Sequence, residues 1–162
     1  PGASPMMRAL TVLQPWATPI ALGLKPLENR TYAPPASVRD GWLAIHAGKN
    51  RIDPEDDPAA LVECLRRMES RPSSTTPPLT LRTLLDHAGH VLALVRLAGV
   101  AYSEAEVAAL TPNQRAWYVP GSRGWLIGER RQLPKPVPVR GQQGIWFLPP
   151  DVEALVRAQV IL

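Results

Sequence analysis

The stretch RALTVLQPWATPIALGLKPLENR, Arg8 to Arg30, reads as a strand, a short helix and a second strand. RALTVL is apolar and extended in character, and Gln14-Pro15-Trp16 opens a helix that Gly23 ends, because Pro suits a first turn and Gly a last one. Pro19 is compatible only with a helix that begins close to Trp16. Leu27 to Tyr32 is then a strand, stopped by Pro34-Pro35.

The rest of the chain follows the same pattern of short strands and short helices. WLAIHA, Trp42 to Ala47, is a strand whose alternation puts Trp42, Ala44 and His46 on one face and Leu43 and Ile45 on the other. VLALVRLAGV, 91–100, is continuously apolar, as a central strand covered on both faces would be. Ser103 with Glu106, and Thr111 with Gln114, are capping boxes that start two short helices. Three further strands are predicted at Trp125–Ile127, Val137–Val139 and Ile145–Leu148, then a helix from Val152 to Gln159 capped by Asp151. Together these elements predict an α+β chain with a small mixed β-barrel and flanking helices.

Residues 53–88 differ in composition. A helix capped at Asp57-Pro58, a low-complexity RPSSTTPP loop and a second helix in LTLRTLLDHAG read as a helical insertion on the barrel. The domain is expected to run from residue 8 to residue 162, with Pro1 to Met7 a leader or expression remnant. A chain of 162 residues suits one domain of this kind.

No apolar run approaches the roughly 20 residues of a membrane helix, so a membrane partner is not expected. Cys64 is the only cysteine, which excludes an internal disulfide and fits a reducing, cytoplasmic compartment. No metal site is expected, since the three histidines lack ligand spacing, and no cofactor motif is present. The net charge of +4 tilts weakly towards polyanionic partners. Among 18 basic residues only Lys25, Lys49 and Lys135 are lysines, and two of these fall in the motifs that follow.

Gln14, Trp16, Lys25, Glu28 and Arg30 lie within 17 positions on strand and turn residues that would fix them. Glu28 and Arg30 share a strand face, whereas Lys25 meets Glu28 only if the chain turns or bulges at Lys25-Pro26. The plain alternative is a surface Glu28–Arg30 pair of little energetic value beside a solvated lysine. His46 and Lys49 end one strand at a common rim. Gly121-Ser122-Arg123-Gly124-Trp125 is a basic turn that could donate to a phosphate or simply close a hairpin. Arg140 and Gln143 lie in a glycine-bounded loop whose amides can read base edges or cap turns. Trp42 and Trp146 read as core. Trp16 and Trp125, each beside a base in a loop, are the candidate stacking platforms.

Several segments taken together resemble the activating-signal-cointegrator homology (ASCH) family, of the PUA-like superfamily. LTVLQPWA is similar to its opening LSxxQPWA, GLKPLENR to its GxKxxExR signature, WLAIHAGK to its strand ending in Lys, and LPKPVPVRGQQGIWFL to its closing stretch. The similarity runs from Ala9 to Leu148. It implies a PUA-like barrel and a cleft that binds RNA or single-stranded nucleic acid, with Gln14, Trp16, Lys25, Glu28 and Arg30 as floor and wall and Lys49 and the 140s loop at the rim. One branch of the family hydrolyses acetylated cytidine with a Lys, a Thr three residues later and a Glu. Here the Thr position is Glu28, so the chain looks closer to the coactivator-type domains.

The expected function is thus a nucleic-acid-binding domain for RNA or single-stranded DNA. In that reading Lys25, Lys49 and Arg140 neutralise phosphates, Trp16 stacks on a base, and Glu28 with Gln14 reads an amino-bearing base edge. The alternative is a hydrolase acting on RNA or a modified nucleoside, a ribonuclease or amidohydrolase, with Lys25 and Glu28 catalytic. A further expectation is a protein partner docked on the 53–88 insertion, if helix 58–69 exposes its Leu and Met side chains.

Overall fold

The RALTVL segment forms β1 (Arg8–Leu13), and its neighbours explain why the apolar pattern there is not a simple alternation. The computed structural model describes residues 6–49, 58–69 and 80–162. In chain order the other elements are α1 (Ala17–Ala21), β2 (Leu27–Arg30), α2 (Ala36–Arg39), β3 (Leu43–Gly48), α3 (Pro58–Glu69) and α4 (Leu81–Leu85). They are followed by β4 (His90–Ala101), α5 (Glu104–Ala108), α6 (Pro112–Trp117), β5 (Arg123–Pro138), β6 (Ile145–Phe147) and α7 (Pro150–Arg157). The expected Asp57 cap and the RPSSTTPP loop lie outside the described residues, as do residues 1–5 of the leader.

The six strands form one curled sheet in the order β2-β5-β4-β3-β1-β6. All neighbours are antiparallel except β1 and β3, which run parallel in the register Arg8↔Leu43 to Leu13↔Gly48. β3, most of β1 and β4 as far as Val95 are covered on both faces, whereas Arg96 and Ala98 of β4, expected to be covered, are exposed. Leu10, Val12, Leu43, Ile45, Ala93 and Val95 pack with Ile20 of α1 and Val38 of α2 on one side. Ala9, Ala44, Val91 and Leu94 pack with Val152 and Val156 of α7 and with Trp146 on the other. The parity expected for 42–47 holds, with Trp42 against this second cluster.

Two expectations are corrected here. The segment 125–127 and residues 137 and 138 of the segment 137–139 belong to one strand of 16 residues, β5, which ends at Pro138. Its prolines 134, 136 and 138 are tolerated because β2 pairs only with 123–126, which leaves the later half a strand neighbour on one side alone among the described residues. On the bare side the Gln159 side chain brackets Lys135, accepting from its N–H at 2.8 Å and donating to its carbonyl at 2.8 Å. The last helix is the second correction: its cap residue is Pro149, and Asp151 sits inside the first turn, where its charge suits the helix dipole.

Both capping boxes form as expected. Met7, placed by sequence in the leader, is buried, and its N–H donates to Glu153 Oε1 at 2.8 Å. Helix α3 buries Leu61, Cys64 and Met68, the last two against Leu84, Trp117, Trp16 and Leu24. Its apolar face therefore covers the body, with Val62 the exposed large hydrophobic on it. Burial pushes the Cys64 thiol up to about 11, so it behaves as an apolar core residue. No described helix is long and apolar enough to cross a membrane.

Candidate functional site

The turn between α1 and β2 creates the site. Gly23 has φ of +77°, and the N–H groups of Leu24 and Lys25 both donate to Pro19 O, at 2.8 and 3.0 Å. Arg130 holds the end of α1 from β5, with Nη1 donating to Ala21 O at 2.6 Å. The chain thereby reverses before Pro26, and Lys25 is folded back over β2. Its Nζ lies 2.5 Å from Glu28 Oε1 in an ion pair that is almost wholly buried, Lys25 being 4% exposed. Arg30 Nη2 reaches the other oxygen, Glu28 Oε2, at 3.0 Å, and also donates to Thr11 O at 2.9 Å.

These three charges are the floor of a cleft of about 440 Å³. The volume lies within the range usual for small-molecule and single-base pockets. Its walls are Thr11, Val12 and Leu13 from the end of β1, Trp16 at the start of α1, Asn29, Val119, and Glu63 with Arg67 from α3. Trp16 is half-buried and edge-on to Trp117, their centroids 6.5 Å apart. Arg67 lies over the Trp117 ring, donates to Trp117 O at 3.2 Å and pairs with Glu63 at 2.8 Å. Arg67, Glu63, Thr11 and Val119 were not among the residues singled out from sequence. In sequence Glu63 and Arg67 make an ordinary i, i+4 helix pair, and nothing local says that the helix faces a cleft.

Of the expected site residues, the structure brings together Trp16, Lys25, Glu28 and Arg30. It moves others into supporting roles. Gln14 is 1% exposed, and its amide is fully engaged: Nε2 donates to Thr18 Oγ1 and to Asp86 O, and Oε1 accepts from Thr18 N. It bolts α1 to the loop after α4 and reads no ligand edge. Trp125, register partner of Glu28, is wholly buried and donates through Nε1 to Tyr32 O at 2.9 Å, so it backs the ion cluster and offers no stacking face. Ser122 Oγ lies 2.8 Å from Asn29 Oδ1 and 2.7 Å from Val119 O and shares its one proton between them, which makes its turn a support for the cleft wall. Arg123 lies over the Tyr102 ring.

His46 is also internal, at 2% exposure. Its Nε2 is 2.8 Å from Val139 O and must carry the proton there. Nδ1 then accepts from the Thr11 hydroxyl at 3.2 Å, and that oxygen accepts in turn from Trp146 Nε1 at 3.0 Å. Burial lowers the His46 pKa, and the bond to Val139 only partly opposes this. Gly141 presses on the same ring: a Cβ there would lie 2.5 Å from His46 Cε1. Arg140 and Gln143, in the same loop, are exposed, as is Lys49 just after β3, where Gly48 packs on Leu13. None of these three side chains lines the cleft. Among the described residues no group of three His, Cys, Asp or Glu side chains could hold a metal.

No family model matches the chain, and no curated protein matches it. Among solved structures, a point mutant of the ASCH protein of Zymomonas mobilis superposes with a TM-score of 0.50 at 12% identity, covering 95% of this chain and 98% of that one. The crystal structure of ASCH from Zymomonas mobilis itself gives 0.47 at 13% identity, with 92% of each chain covered. A second point mutant gives 0.49 at 11% identity over 94% of this chain and 95% of that one. The first of these superpositions shows the fold: the chain shares that of the Zymomonas mobilis ASCH protein, α+β with a curled six-stranded sheet and flanking helices.

Proposed function

We propose that this is a nucleic-acid-binding domain of the coactivator-type ASCH class, acting in the cytoplasm on RNA or another single-stranded nucleic acid, and that the cleft takes one unstacked base. The observation that carries this reading is the cleft itself: a half-buried Trp16 and the apolar Leu13 and Val119 stand over a floor of three paired charges. A flat heterocycle meets an aromatic wall there, worth roughly 1–3 kcal/mol per stacked base. The exposed Lys49 and Arg140, each next in sequence to a glycine that packs on Thr11 of the cleft wall, would neutralise phosphates outside the pocket.

Lys25 is no longer counted among the phosphate contacts, because it is buried in its pair with Glu28. With Lys49 and Arg140 as the two contacts, log affinity for a short single strand should fall with log salt at a slope near −1.4, from about −0.7 per contact. Titration at several salt concentrations measures it, and a flat response would remove the reading. The hydrolase alternative draws on one observation, a desolvated Lys25 against a carboxylate in an open cleft. As a ribonuclease it predicts cleavage of the bound strand in that same titration, and as an amidohydrolase it predicts release of the acyl group from an acylated nucleoside. The carboxylate at position 28, where the acetylcytidine amidohydrolases hold a Thr, favours binding over amide hydrolysis.

A further inference from the structure

We infer that the cleft selects bases that present carbonyl oxygens, uracil and the 6-oxopurines, over adenine. This rests on the nucleic-acid reading above and names the base that the pocket takes. From sequence alone Glu28 is an acceptor for a base amino group. The geometry reverses that, because both carboxylate oxygens already face cations, Oε1 at 2.5 Å from Lys25 and Oε2 at 3.0 Å from Arg30.

The other acceptors of the cleft are similarly engaged. Thr11 O takes Arg30, Asn29 Oδ1 takes Val119 N and Ser122 Oγ, and Glu63 takes Arg66 and Arg67. The donors are in excess. Lysine and arginine carry donors only, and together they outnumber the lone pairs of one carboxylate. Arg30 Nε, buried, has no hydrogen-bond partner among the described residues. A ligand edge that reaches this floor therefore meets N–H groups.

An edge with two acceptors suits such a floor. Guanine and hypoxanthine present O6 beside N7, and uracil presents its carbonyl oxygens, whereas adenine sets an amino donor beside N7. A phosphate also carries acceptors, but it would have to shed its water between Val12, Leu13, Trp16 and Val119 and approach a carboxylate already in place. A neutral carbonyl supplies the same acceptors without that desolvation cost.

The test compares two hexaribonucleotides, six adenosines against the same strand with one inner adenosine replaced by inosine, at one salt concentration. The inosine strand should bind at least roughly tenfold more tightly, as expected when a well-matched edge replaces a donor-to-donor clash. Lys25→Met should bring the ratio close to one. Because that variant risks misfolding, competition on the unmodified protein gives a second reading: inosine and uridine should displace the strand, and adenosine and inorganic phosphate should not. Equal binding of the two strands, or phosphate competing as well as inosine, overturns the inference and leaves nucleic-acid binding standing. If neither strand binds, the proposed function falls with it.

Discussion

Glu28 neutralises two cations at once, so its removal and that of Lys25 have different costs. Glu28→Ala leaves the buried Lys25 without its partner and frees Arg30 from its anchor, a loss of about 3–5 kcal/mol, the usual result of stranding a buried charge. Lys25→Met should cost less, because Glu28 keeps Arg30 and the methionine fills the apolar stem's place. Urea unfolding of both variants checks the order. His46 makes a second prediction. Its folded pKa is lowered from 6.5 by burial, so the unfolded chain binds the proton more readily. Stability is then full above about 6.5 and declines as the pH falls through that value towards the folded pKa. His46→Gln should flatten this decline in melting temperature against pH. The pairing of Lys25 with Glu28 was only half legible in sequence: Pro26 keeps Lys25 out of helix, but a solvated lysine stayed open until the turn at Gly23 folded it back over β2. Gln14 and Trp125 were not legible, since their burial depends on what the loop after α4 and the neighbouring strand place over them.

At the scale of elements, local chemistry identified what local chemistry controls. The two capping boxes, the short α1 between Pro15 and Gly23, and the first strands all form where their own residues dictate. β5 was broken by the reading because Gly128 and three prolines interrupt it, and only the sheet order reveals why they are harmless. Beyond Ile127 that strand has lost its β2 neighbour, so a missing N–H breaks no ladder on that side. The helical segment after β3 makes the converse point. Composition marks α3 as different from the barrel, yet Glu63 and Arg67 furnish one wall of the cleft and Cys64 and Met68 pack beneath Trp16 and Trp117. The site therefore cannot be read from the barrel segments alone.

At the scale of the whole molecule, the contact between Arg30 and Thr11 joins strands that are far apart in the sheet. β2 is at one end of the order, and β1 is separated from it by β5, β4 and β3, so this side chain spans the place where the curled sheet fails to close. β6 covers β1 only at 8–10, which leaves 11–13 facing the opening. A ligand seated there touches both lips of the opening. Binding and barrel opening are then thermodynamically linked: the occupied protein must release its ligand before β1 and β2 can part, and each tenfold excess over the dissociation constant adds about 1.4 kcal/mol against that motion. Amide exchange at Thr11 to Leu13 and Leu27 to Arg30 should slow on addition of a bound strand, while exchange in α7 stays as it was. In this molecule a guest in the cleft is also the missing stave of the barrel.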